Sequence, residues 1–216
     1  MVLLAAVLIP LLTLALAVPL SARNHWMQKA VDATIALNDT PCPIYPFGAA
    51  IVNHTESTEG VFVIDGANRA SDDPTQHGEM NAIQKLAKKY PGRGQKLGQG
   101  LTLYTTAEPC PMCMAAIRWA GFEEVVIATD MRTLINYNWQ QITISAEEVN
   151  QQSFLLPTRT KLVQNILTNV TDPLFQWQFQ PGFQCPDGCH RINKICSRHS
   201  EQAALKLQQH GQIISY

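Results

Sequence analysis

Four short apolar runs alternate with two helical stretches between residues 47 and 129, and this alternation limits the folds open to the chain. "FGAAIVN" and "VFVIDG" read as strands joined by the hairpin-like loop "HTESTEG", and "LTLYTT" and "EVVIAT" as two further strands. Between the second and third runs, Met80, Ile83, Leu86 and Ala87 recur at helical spacing. Asp73 is expected to cap that helix, with Pro74 at its first position. Lys88 and Lys89 suit its last turn, and Pro91-Gly92 stop it. "PMCMAAIRWAG" is a second helix ending at Gly121. Strand and helix in alternation imply an α/β layer architecture with a partly parallel sheet. The glycine-rich "GRGQKLGQG" lacks a GK[ST] ending and leads into a strand, so it reads as an exposed connection.

Two stretches at helix starts carry the chemistry. In "DPTQHGEMNAI", His77 is followed two residues on by Glu79, and Asn81 sits where a zincin would place its second histidine. In "TTAEPCPMCMAA", Cys110 and Cys113 flank two residues at a strand-to-helix turn, with Pro111 setting the first helical residue. Each helix N-terminus carries about half a positive charge, which favours the thiolate needed for ligation. Two thiolates and one neutral imidazole make a three-ligand zinc site with one open position, the mark of a catalytic zinc. A redox-active Cys110–Cys113 pair is the rival reading; it needs neither His77 nor Glu79.

His-x-Glu followed by Pro-Cys-x-x-Cys is the zinc deaminase signature. Over about residues 24 to 130 the chain resembles the cytidine deaminase-like superfamily, in its CMP/dCMP-type zinc branch. Within that branch "PFGAAIV", "DPTQHGEMNAI" and "EPCPMCMAAIRWAG" look most like guanine deaminases. "HGE" and "LYTT" are also similar to fungal cytosine deaminase, and "EPC.MC" to tRNA adenosine deaminase. The resemblance implies a three-layer α/β/α fold around a central mixed sheet of about five strands. It implies zinc held by His77, Cys110 and Cys113, with Asn68 contacting the base. It also implies hydrolytic deamination: Glu79 takes a proton from the attacking water, then delivers protons to a ring nitrogen and to the departing ammonia. The expected substrate is a free nucleobase, guanine or cytosine or a related amino-heterocycle. The alternatives are a nucleoside, nucleotide or tRNA adenosine deaminase, and an inactive protein that keeps the metal for structure. A homodimer is the implied assembly.

The rest of the chain bears on location and partners. A formal net charge of −1 argues against a large polyanionic partner such as nucleic acid. No charged side chain occurs from Met1 to Ala22, and the apolar run ends in Ala15-Leu16-Ala17, so residues 1–17 are expected to be a signal peptide. An uncleaved anchor is the alternative; Pro10 and Pro19 interrupt the run and favour cleavage, which would leave no stable membrane anchor. Three N-x-[ST] sequons, at Asn38, Asn53 and Asn169, fit a secreted glycoprotein. In that compartment Cys42, Cys185, Cys189 and Cys196 are expected in disulfides, with three connectivities open. A second zinc site from Cys185, Cys189, Cys196 and His199 is the competing reading.

The expected organisation is therefore a signal at 1–17, a deaminase domain at 24–153 and a cysteine-bearing extension at 154–216. A helix is expected over 24–37, with Trp26, Ala30, Val31, Ile35 and Leu37 near one face. "AEEVNQQS" reads as a short helix, 154–200 as irregular, and "SEQAALKLQQHG" as a final helix. Trp119 is read as a helix-packing residue, and Phe175, Trp177, Phe179 and Phe183 as covering apolar surface, lidding the pocket or meeting a second subunit.

Overall fold

The strands form a single mixed sheet. The computed structural model describes residues 17–71, 73–192 and 195–198; residues 1–16 of the expected signal segment, His199 and the expected final helix lie outside the described residues. The five strands are β1 (Gly48–Asn53), β2 (Val61–Ala67), β3 (Leu101–Ala107), β4 (Glu124–Thr129) and β5 (Lys161–Val163), in spatial order β2-β1-β3-β4-β5. β1 pairs antiparallel with β2 and β3, whereas β3–β4 and β4–β5 are parallel. The expected mixed sheet of five strands is thus observed.

Helices cover both faces. On one side α1 (Leu20–Asn38) lays Trp26, Met27 and Ala30 against Ala50, Val52, Tyr104 and Val126. This helix begins four residues before the expected start, and Arg23 in its first turn forks onto Glu124 of β4 at 2.8 and 3.1 Å. Leu37, expected on the packed face, is 46% exposed in the last turn of α1, just before the left-handed C-cap at Asp39. On the other side α2 (Gly78–Lys89) and α3 (Pro111–Ala120) bury Ala82, Leu86, Met114 and Ile117 against Ile51, Leu103, Val125 and Ile127. Interdigitation of branched side chains from both faces of β1, β3 and β4 is what a fully covered central sheet requires. Among the described residues no helix is long and apolar enough to cross a membrane.

Beyond β4 come α4 (Met131–Asn136) and the expected short helix, α5 (Ala146–Gln152), which starts with a capping box between Ser145 and Glu148. The 154–200 stretch is more ordered than expected. It holds β5, α6 (Thr168–Gln176) and a hairpin of β6 (His190–Ile192) and β7 (Ile195–Ser197). The strands are three residues each, too short to show periodicity, and Pro173 inside α6 disguises the helix. Two disulfides, Cys42–Cys189 and Cys185–Cys196, resolve the three connectivities and use three of the cysteines offered to a second zinc site. They enclose a small cluster of Cys42, Trp177 and Cys196.

Candidate metal and catalytic site

The site forms where α2 and α3 start, at the carboxyl end of β3. Asp73 does not cap α2, contrary to expectation. It opens a turn with Pro74, in which Gln76 N–H donates to the Asp73 carbonyl at 2.9 Å, and the Asp73 carboxylate accepts from the Thr75 N–H and hydroxyl. Aspartate at the first and proline at the second position favour such a turn as strongly as a helix start. The chain then runs extended through His77 (φ −67°, ψ 163°), which takes the N-cap position, and the helix begins at Gly78. Gly78 lacks a side chain for a reason: a Cβ there would lie 2.7 Å from the Phe47 carbonyl oxygen. Likewise a Cβ on Gly66 of β2 would strike the backbone of Ala82 and Gly78. The start of α2 is therefore seated directly on β1 and β2.

Cys110 holds the corresponding N-cap position of α3 (φ −61°, ψ 166°), with Pro111 next. His77 Nδ1 lies 3.6 Å from the sulfurs of both Cys110 and Cys113, and neither cysteine is in a disulfide. Zinc at about 2.3 Å from sulfur and 2.0–2.1 Å from nitrogen, in tetrahedral geometry, requires an N···S edge of about 3.6 Å. The three donor atoms all lie within 4.8 Å of one another. The donor set thus fits zinc in both type and spacing, and it disfavours the redox reading of the two cysteines. The Cys110 thiol is pulled down to about 4 by the hydrogen bond from Cys113, and His77 is raised chiefly by its contact with Cys110. Cys113 is pushed far up by the same bond and by burial.

Glu79 is 5% exposed and points from the first turn of α2 toward β3, where the Thr105 hydroxyl donates to Oε1 at 3.3 Å. Burial raises its pKa. Thr105 was not singled out in the sequence, although strand alternation puts it on the same face as Leu103, which packs under α2 and α3. The next residue, Thr106, accepts from Gly48 N–H at 2.9 Å and donates to the Pro46 carbonyl at 2.8 Å, pinning the approach to β1. Glu108 was also unforeseen: its two carboxylate oxygens accept from Met131 N–H and Ala146 N–H, each at 2.9 Å. It joins the first residues of α4 and α5 to the loop that carries Cys110.

Asn68 follows β2, 9% exposed, and its N–H donates to the same Phe47 carbonyl that abuts Gly78. It therefore stands beside the start of α2, with Oδ1 accepting from Ala70 N–H at 2.8 Å. Next to it an aromatic wall rises. Phe47, Trp139 and Phe175 meet at centroid distances of 4.9–5.8 Å, Tyr45 and Phe179 meet Trp139 edge-on, and Ala107 lies in the same cluster. Trp139 Nε1–H donates to the Phe175 carbonyl at 2.8 Å. Phe175 and Trp177 are buried, whereas Phe179 and Phe183 stay exposed. Trp119 is 58% exposed, so the packing role expected for it is not observed.

Residues 20–129 match the model of the cytidine and deoxycytidylate deaminase zinc-binding region. Guanine deaminase of Bacillus subtilis is 40% identical over 87 residues, 39% of this chain and 51% of that protein. The probable cytosine deaminase of Schizosaccharomyces pombe is 33% identical over 92 residues, 42% of this chain and 51% of that protein. The chain spans about half the length of the curated relatives it matches. In three dimensions it is similar to guanine deaminase from Nitrosomonas europaea, with a TM-score of 0.56 and 20% identity over 74% of this chain and 84% of that one. A protein crystallised in complex with 8-azaguanine superposes with a TM-score of 0.59 at 20% identity, covering 73% and 84% of the two chains. With the family model spanning residues 20–129 and the three candidate metal donors all within that span, this chain belongs to the cytidine and deoxycytidylate deaminase zinc-binding family.

Proposed function

We propose that this protein is a zinc-dependent hydrolytic deaminase of a free nucleobase, guanine or a cytosine-like amino-heterocycle. The observation that carries the reading is the placement of Glu79. It is a buried carboxylate two residues from a metal ligand, at a helix start facing the site, and it is left out of the three-donor set. Zinc bound by His77, Cys110 and Cys113 supplies Lewis-acid activation of the attacking water. Glu79 takes the proton that this water loses and returns it to a ring nitrogen. The carbon–oxygen bond forms, the carbon–nitrogen bond to the exocyclic amine breaks, and nitrogen leaves as ammonia with its last proton relayed by Glu79. Asn68, backed by the largely buried cluster of Phe47, Trp139 and Phe175, serves as the hydrogen-bonding contact to the edge of a planar heterocycle.

Relatives named as guanine and cytosine deaminases support a free base as substrate. A net charge of −1 counts against RNA, although tRNA-specific adenosine deaminases are also among the relatives. The same proposal holds that the chain is exported and glycosylated, on the strength of its apolar N-terminal run, its sequons and its two disulfides, and that it is homodimeric, as the family resemblance implies. The test is ammonia release from a panel of bases, nucleosides and nucleotides, for wild type and Glu79→Gln, with zinc counted by native mass spectrometry. The variant should keep its zinc and lose a factor of ~10² to 10⁴ in rate. Full activity in the variant overturns the role of Glu79. A wild type that holds zinc but is inert on every substrate makes this a metal-stabilised binding protein instead.

A further inference from the structure

The three sequons are not equivalent in the folded protein, and we infer that Asn53 is the acceptor for an N-linked oligosaccharide that remains open after folding. This rests on the export reading above, and it names the modified atom. Asn53 ends β1, and His54 and Thr55 begin the turn to β2. The His54 ring plugs inward, hydrogen-bonded to the Tyr104 hydroxyl at 2.9 Å and to the Thr58 carbonyl at 3.0 Å. Asn53 is half-buried at the end of β1, and Thr55 is exposed. The two are already engaged with each other. Thr55 N–H and Thr55 Oγ1 donate to Asn53 Oδ1 at 2.8 and 2.6 Å, on the exposed side of the turn. Among the described residues every hydrogen bond of that side chain falls on its oxygen, which leaves Nδ2, the atom to be modified, uncommitted there.

The other two sequons are closed. Asn38 Nδ2 donates to the Thr34 carbonyl at 2.6 Å, and the Thr40 hydroxyl is taken up by Cys42, which lies in the disulfide to Cys189. Asn169 is exposed, but its partner Thr171 is 0% exposed, with its hydroxyl bonded to Thr129 under α6. A transferase that must reach both the amide and the hydroxyl can reach them at Asn38 and Asn169 only before those segments fold. At Asn53 the reaction needs no unfolding. Nδ2 attacks the anomeric carbon of a polyprenyl-pyrophosphate-linked oligosaccharide, the carbon–nitrogen bond forms and the carbon–oxygen bond to pyrophosphate breaks. The lipid pyrophosphate leaves, and the amide proton passes to a base of the transferase.

Position also makes the modification compatible with the proposed chemistry. Asn53 pairs with Leu101, the first residue of β3, whereas the metal loop follows Ala107, the last. At about 3.3 Å per residue that separation is roughly 20 Å along the strand. The sugar would stand over the end of the edge strand β2, where Asn53 faces the exposed Val61.

The test has two arms. The full chain is expressed in a eukaryotic secretory host, and site occupancy is read by mass spectrometry after enzymatic deglycosylation in ¹⁸O water. Separately, folded full-length protein made without glycosylation is incubated with oligosaccharyltransferase and its lipid-linked donor, beside a reduced, unfolded sample. Asn53 should be converted in the folded protein and lost as a site in Thr55→Ala, with Asn38 and Asn169 converted only in the unfolded sample. Conversion of Asn53 in the second arm alone supports the acceptor assignment and removes the export reading. Conversion of Asn38 or Asn169 in the folded protein, or failure at Asn53 in the second arm, overturns the inference.

Discussion

Replacing Cys42 and Cys189 together with alanine should destabilise this protein more than any comparable change at the other disulfide, while leaving its site intact. The Cys42–Cys189 bond closes a loop with a sequence separation of 147, and Cys185–Cys196 one of 11. Cross-linking removes unfolded-state entropy of about 2.1 + 1.5R ln n cal/mol/K, which gives roughly 5 kcal/mol at 25 °C for the long loop and roughly 3 for the short one. For a chain of this size each kcal/mol corresponds to about 2–4 °C, so the long-loop variant should melt some 10–20 °C lower. The site should survive because Thr106, not the disulfide, fixes Pro46 and Gly48 beside α2. Urea unfolding followed by circular dichroism, for each double variant with the other disulfide intact, measures the two losses. Zinc content and turnover at 20 °C are measured on the same samples. An equal or larger loss from Cys185→Ala/Cys196→Ala would show that loop closure does not set the cost. Loss of zinc from Cys42→Ala/Cys189→Ala at that temperature would show that the tether shapes the site.

Other outcomes follow from particular contacts. Gly78→Ala drives a Cβ to within 2.7 Å of the Phe47 carbonyl and must shift the start of α2; it should cost about 1–3 kcal/mol by overpacking and weaken zinc retention, as read by competition with a chromophoric chelator. Burial pushes the Glu124 carboxyl up, but the Arg23 fork and Lys161 outweigh it and hold the group below its ordinary 4.5. A depressed carboxylate stabilises the fold fully above the unfolded value, and the stabilisation is lost as pH falls through the folded value. Glu124→Gln strands a buried guanidinium and should cost roughly 3 kcal/mol at pH 7; its deficit against wild type should shrink below about pH 4.5, as followed by urea titrations across pH.

The sequence disclosed the site better than its supports. His77, Glu79, Cys110 and Cys113 were legible because metal chemistry fixes residue type and spacing together, and the fold brings all four to two adjacent helix starts. The positions of β1, β3 and β4 were legible because apolar runs are continuous in buried strands. The helix start at Gly78 was not, because Asp73-Pro74 satisfies a turn and a cap by the same local rules, and only the seat on Phe47 decides between them. Trp119 shows the opposite failure: position on a helix of core residues suggested packing, yet its side of α3 faces outward. The disulfide pairing, the carboxylate clamp at Glu108 and the aromatic wall depend on residues far apart in the chain, which no local pattern links.

The division of ligands between two helices also sets an order of assembly. A peptide spanning β3 and α3 carries both thiolates but no histidine, and one spanning α2 carries the histidine alone. Neither half can offer three donors until the antiparallel pairing of β1 with β3 has brought the helix starts together. High-affinity zinc uptake should therefore lag sheet formation in a refolding experiment. Once bound, the ion would bridge two elements that the chain itself joins through the 21 residues Tyr90 to Cys110, β3 among them. The rate at which zinc escapes then becomes a clock for how often α2 and α3 part in the native protein.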